Sequence, residues 1–272
     1  MSPTAAQIAG HEALGDATRR ALADWLMAMS DTKHLLGLRY AEWCTGAPEL
    51  EADIAASAMA QFELGHARVL RGVLGDLPED PRGPTRDTDP AAWCSIASLD
   101  TPFADWTELV AANALVDTLL TVNLHSAMDG AYLPLTQRLR KVLAEEEYHG
   151  VHGAAWIGRL AGGPDATAAR LQEVLDEVWA DCLAWFGPET GNGLDELRAA
   201  GVLADDAAGL RDRYVAAVSP MFEGIAVQLR AGVEIEWSGW HPASRRCGVP
   251  AFGERCFAMI TGAGTRALGV RD

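Results

Sequence analysis

Cations are scarce in this chain. Its 272 residues carry 22 Lys and Arg against 38 Asp and Glu, a formal charge of -16. Nucleic acid and anionic membrane surfaces attract basic faces, so both are excluded as partners. Long apolar runs are missing too, and the longest apolar segments carry charges at helical spacing, which excludes a bilayer span. The five Cys (Cys44, Cys94, Cys182, Cys247, Cys256) are odd in number and scattered, with no signal peptide ahead of them. That excludes a disulfide framework and predicts a reduced, cytoplasmic protein. No iron–sulfur cysteine spacing and no Gly-rich phosphate loop after a strand occur, so neither cluster-borne electrons nor a nucleotide fold is expected. The sequence has no tandem repeat.

What is present is helical periodicity. The chain reads as one domain over 1–272, with a core bundle over about 17–160, extra helices over about 165–231 and a terminal lobe over about 232–272. After an opening segment of mixed character to about Asp16, Leu22, Trp25, Leu26, Met29, Leu35, Leu36 and Trp43 recur at three and four residues, the mark of an amphipathic helix. Thr45-Gly46-Ala47-Pro48 ends it. Pro48 with Glu49 and Glu51 predicts a second helix running to about Gly75, antiparallel to the first. Residues 76 to about 103, with Pro78, Pro81, Pro84 and Pro90, read as a crossover, needed if the third helix runs parallel to the second. The third helix is expected from about Phe103 to Met128, the fourth from Pro134 to Leu160, and further helices over 165–186, 193–202 and 206–231. The last forty residues show no clear period.

The chemistry-bearing pattern is Glu-x-x-His, present twice: Glu63 with His66, and Glu146 with His149. Residues three apart share a helix face, so each pair can converge on one ion, and two such helices facing carboxylate-bearing helices are how a four-helix bundle builds a dinuclear iron or manganese site. In an antiparallel hairpin, partners at equal depth lie equidistant from the turn. With the second turn near 130–133, Glu146 meets residue 117, where Asp117 is an acid among apolar neighbours that calls for a counter-charge. With the first turn near 46–48, Glu63 meets residues 31–34. Asp31 or His34 could complete the site, Lys33 between them is a cation where an anion is wanted, and Glu42 lies too near the turn. Carboxylates supply hard oxygens that can bridge two cations, and imidazole leaves positions open for O2. His152, His125 and Asn123 are weaker candidates; His241, Cys247 and Cys256 lack compact zinc spacing.

Glu42-Trp43-Cys44 through Pro48-Glu-Leu-Glu51, Glu63-Leu-Gly-His66, Leu115-Val-Asp117 and Glu145-Glu146-Glu147-Tyr148-His149 resemble the phenylacetate-CoA oxygenase (phenylacetyl-CoA epoxidase) family over about residues 25–190. The resemblance implies an all-α fold, a ferritin-like four-helix bundle with additional C-terminal helices. It also implies two iron ions, or manganese, held by Glu63, His66, Asp117, Glu146 and His149 with Asp31 or His34, Glu63 and Glu146 being catalytic. The function implied is a di-iron oxygenase using O2 to oxidise an organic substrate, an aromatic or acyl-CoA compound, with a separate reductase and a homodimeric or related bundle partner. The family also contains a non-catalytic structural subunit, to which the Glu-Trp-Cys wording is closer. In the family's catalytic subunit, the first-helix Glu aligns without gaps onto Lys33.

Overall fold

A computed structural model describes residues 7–79, 83 and 86–263. Residues 1–6 of the opening segment, Pro81 and Pro84 of the crossover, and residues 264–272 of the terminal lobe lie outside the described residues. The architecture is all-α, a ferritin-like bundle extended by C-terminal helices. Its four long helical stretches are α1 (Asp16–Ala41), α2 (Leu50–Leu74), a composite of α3 (Trp106–Ala112), a π-helical turn (Asn113–Asp117) and α4 (Thr118–Met128), and α5 (Leu133–Ala161).

Helix α1 is the central one. From Leu22 to Tyr40 only Asp24, His34 and Leu38 escape full burial, so it is enclosed on nearly every side rather than amphipathic. It is antiparallel to α2, and Gly37 sets their spacing. A Cβ on Gly37 would lie 3.0 Å from Leu64 Cγ, 3.1 Å from the Ala60 carbonyl oxygen and 3.1 Å from Glu63 Cβ. Gly153 of α5 is the counterpart: its Cβ would meet Asn113 Oδ1 at 3.1 Å and Ala114 Cα at 3.2 Å in the π turn. Glycine inside a helix costs roughly 1 kcal/mol against Ala, a cost that close approach of backbones explains.

Helices α2 and α5 are antiparallel, joined at one level by His66 and Glu145 (2.8 Å) and at another by Arg159 and Glu49 (2.5 and 2.9 Å). The α3–α4 composite therefore runs parallel to α2, which is why the chain must cross over between them. The crossover is packed, not loose: Trp93, Ile96 and Leu99 are buried, and Arg86 stacks 3.9 Å over the Trp93 ring.

Some boundaries differ from the periodicity reading. Helix α3 begins at Trp106 because Asp105 accepts from the backbone N–H groups of Thr107 (2.9 Å) and Glu108 (3.1 Å), an N-cap worth about 1 kcal/mol. After α6 (Asp165–Trp185) and α7 (Leu194–Ala199), α8 covers Ala207–Val218, not 206–231. A short 3-10 turn containing Pro220 ends it, and Gly224 at φ 73° turns the chain away. Downstream, the two-residue strands β1 (Trp240–His241) and β2 (Arg246–Cys247) pair antiparallel, and α9 (Glu254–Ile260) follows. Buried Arg245 donates to the carbonyls of Trp185 (2.8 Å), Phe186 (3.1 Å) and Asn192 (2.9 Å), supplying donors where α6 runs out of them. Arg246 holds Asp100 of the crossover through two bonds of 2.7 Å.

Candidate metal centre

The π turn is the local device that shapes the centre. The turn is one residue wider than an α-helical turn, and its Leu115 carbonyl accepts from the Tyr214 hydroxyl of α8 at 3.1 Å. Asn113 opens the turn and Asp117 closes it; Asn113 Nδ2 reaches Asp117 Oδ2 (3.3 Å) and the His149 carbonyl (3.3 Å).

At mid-depth in the bundle five of the predicted side chains converge: Glu63 and His66 from α2, Asp117 from the π turn, and Glu146 and His149 from α5. All are buried. His149 Nδ1 lies 2.7 Å from Asp117 Oδ2 and 3.5 Å from Glu63 Oε1; His66 Nδ1 lies 2.8 Å from Glu146 Oε1 and 3.6 Å from Glu63 Oε1. Both imidazoles thus aim Nδ1 at the carboxylates. Glu145 Oε2, 2.8 Å from His66 Nε2, fixes that ring from behind, as carboxylates do for ligating histidines. Thr121 Oγ1 donates to Glu146 Oε2 (2.7 Å), and the Tyr40 hydroxyl donates to Asp117 Oδ2 (3.1 Å).

Lys33 occupies the first-helix position. Its Nζ is 2.8 and 3.0 Å from the two oxygens of Glu63, 2.6 Å from Glu146 Oε1 and 3.7 Å from Asp117 Oδ1. Asp31 and His34, expected to complete the centre, do not reach it. Helical residues are spaced 100° apart, so with Lys33 facing the centre, positions two before and one after must face elsewhere. Asp31 instead contacts Arg86, lies 3.2 Å from Arg71 and accepts from the Cys94 backbone N–H (2.9 Å). His34 sits against Arg71 (3.3 Å) and the Ile260 carbonyl (3.4 Å), and burial lowers its pKa to about 4. Glu42, nearer the first turn, pairs with Arg39 at 2.9 Å. Asn123 is a core residue, bonded to Trp25 and the Leu119 carbonyl, and His125 is exposed.

The charges balance internally. Burial alone would discharge Lys33, but attraction to Glu146, Glu63 and Asp117 outweighs it, holding the ammonium above the ordinary lysine range. Burial likewise disfavours protonated His66 and His149, yet contacts with Glu146 and Glu63 for the first, and Asp117 for the second, bring each up to about 9. Burial and repulsion from Glu63 raise Asp117 to about 7, whereas Lys33 and the imidazoles overcome burial at Glu146 and keep it well below the carboxylate range. Three cations, Lys33, His66 and His149, thereby face three acids, Glu63, Asp117 and Glu146.

Tyr40, Asn113, Thr121 and Glu145 were not singled out from the sequence. Asn113 and Thr121 lie four residues on either side of Asp117, a signal the helical period offers; Tyr40, a full seven residues from Lys33, carries the same signal.

Fold and cluster define a class, the ferritin-like bundles with a buried centre of carboxylates and imidazoles. Within it, the chain belongs to the family described as phenylacetic acid catabolic protein, which matches residues 4–242. Two different subunits of the 1,2-phenylacetyl-CoA epoxidase of Escherichia coli (strain K12) are similar to it. Identity to one of them is 25% over 162 residues, covering 58% of this chain and 64% of that protein. Identity to the other is 28% over 159 residues, covering 57% of this chain and 50% of that protein. The chain therefore spans about half to two thirds of the length of these curated relatives.

The donor set fits an ion in one half of the centre. Ligand atoms of Glu63, Asp117, Glu146 and His149 all lie within 4.8 Å of one another, and buried Asp117 Oδ1 and His66 Nδ1, which face the centre, have no hydrogen-bond partner. Three carboxylates and an imidazole suit iron or manganese. The pair of irons that the resemblance implied does not fit these residues. On the His66 side, the position of a fourth ligand holds an ammonium, which has donors and no lone pair.

Proposed function

We propose that this chain is a metal-dependent bundle subunit of a multi-subunit oxygenase resembling phenylacetyl-CoA epoxidase, oxidising an organic substrate, an aromatic or acyl-CoA compound, with O2. What carries the proposal is the convergence of Glu63, Asp117, Glu146 and His149 in a dry bundle centre. Glu63, Asp117, Glu146 and His149 would hold a redox-active metal whose chemistry, when bound, would be electron transfer to O2; two electrons from a separate reductase and two protons from solvent would balance insertion of one oxygen atom into the substrate and release of the other as water.

The protein's own part is positioning and exclusion of water. Glu63, Asp117, Glu146 and His149 would hold the ion; Tyr40 and Asn113 hold Asp117 in place, Thr121 holds Glu146, and Glu145 orients His66. The substrate approaches from a cleft of about 590 Å³ lined by Glu42, Trp43, Phe103 and Met259. Between cleft and centre stand Trp43 against Trp106 (5.7 Å between rings), Trp106 against His152 (6.3 Å), and His152 Nδ1 bonded to Asn113 Oδ1 at 2.8 Å. An apolar aromatic wall of this kind suits an aromatic or acyl group.

Lys33 favours a second role, that of a partner-binding subunit with an ion-paired centre and no metal. Metal analysis of protein purified from iron-supplemented cells, with O2 consumption measured alongside reductase and partner subunit, separates the two. Bound redox metal, with activity abolished by Glu146→Ala, supports the oxidative role. Metal-free protein after reconstitution, or an active Glu146→Ala variant, overturns it.

A further inference from the structure

The two halves of the centre are unequal. Around Asp117 and His149, four side chains present ligand atoms within 4.8 Å of one another, and Lys33 Nζ stands 3.7 Å from Asp117 Oδ1, outside hydrogen-bond reach. Around His66, the Lys33 ammonium already stands within 3.0 Å of both Glu63 oxygens and 2.6 Å from Glu146 Oε1, the acids a second ion would have to share. Lys33 is fully buried on the enclosed face of α1, and Gly37, one turn along, holds α1 against Glu63. The ammonium therefore cannot swing to solvent without opening the α1–α2 contact.

We infer that the centre takes one divalent cation per chain, on the Asp117–His149 side, and that the Lys33 ammonium is a built-in replacement for the second. An ammonium supplies positive charge to Glu63 and Glu146 as a metal would, but it offers no coordination and no change of oxidation state. It also repels a second cation placed between the same two carboxylates. The inference rests on the metal-dependent reading above and narrows it from a pair of ions to one.

The test is anaerobic titration of the full chain with Mn2+ alone, followed by calorimetry and electron paramagnetic resonance, with elemental analysis after desalting. Wild-type protein is expected to take up one Mn2+ per chain with an uncoupled spectrum. Lys33→Glu, which supplies the missing oxygen ligand, is expected to take up two and to show the spectrum of a coupled pair. His66→Ala keeps the single ion, and His149→Ala loses it; this pair decides the matter even if Lys33→Glu does not fold. Two ions in wild type, or one ion that depends on His66 and not His149, overturns the inference while leaving the metal-dependent function standing. No uptake by wild type overturns both.

Discussion

Lys33→Met is the most informative single change. It keeps the length and apolar stem of the side chain and removes only the ammonium that contacts Glu63 at 2.8 Å and Glu146 at 2.6 Å, all fully buried. Breaking a buried ion pair by deleting one partner costs about 3–5 kcal/mol, because the remaining charge is left uncompensated. Here two acids lose their nearest cation, but His66 and His149 remain at 2.8 Å from Glu146 and 3.5 Å from Glu63, so the lower part of that range, about 3 kcal/mol, is expected. That is a large share of the roughly 5–15 kcal/mol that holds a domain together. The assay is urea unfolding of metal-free protein at several pH values. Loss should be greatest near pH 8 and shrink toward pH 5, as the stranded acids take up protons. Added Mn2+ should recover stability in the variant by mass action more than in the wild type, since the cation then supplies the missing charge. A loss under about 1 kcal/mol, or one independent of pH, would refute the placement of Lys33 among these acids.

Stability of the metal-free protein should fall as pH rises from about 6.5 to 9, measured as the melting temperature across pH. His66 and His149, raised from 6.5 to about 9, stabilise fully below 6.5 and lose that contribution as pH climbs through 9; on the acid side His34 and His152, lowered to about 4, and Asp117 and Asp181, raised to about 7 and about 6, act with opposite sign, so a shallow slope is expected there. Gly37→Ala places a methyl 3.1 Å from the Ala60 carbonyl oxygen and from Glu63 Cβ, so overpacking should outweigh the gain in helix propensity by about 1 kcal/mol and weaken Mn2+ affinity measured by calorimetry. Tyr214→Phe removes the donor to the Leu115 carbonyl in the π turn and should cost about 1 kcal/mol in urea unfolding, with faster amide exchange confined to residues around 113–119.

The hairpins, the crossover and the depth match of Asp117 with Glu146 were legible because α2 and α5 keep a polar face that sets their phase. Once the phase is known, Glu63, His66, Glu146 and His149 must point inward together. The π turn was not legible, since one extra residue in a helical turn leaves the apolar spacing nearly unchanged, and Asn113 gained its place only through it. The caps at Asp105 and the stop at Pro220 were written in local residues, yet periodicity alone overran both. Arg245 and Arg246 could not be placed because their partners, the end of α6 and Asp100, lie far away in sequence.

Composition and the spacing of acids and imidazoles thus determined on their own that helices would bury a cation-hungry cluster. Which residue of α1 answers that cluster was left to the tertiary structure. A helix enclosed on every side carries no amphipathic phase, so Asp31, Lys33 and His34 were equivalent until packing fixed its rotation. The close approach at Gly37 fixed that rotation and turned Lys33 toward the centre. Asp31 was left to the arginines outside, where its charge is paired as completely as that of Lys33 within.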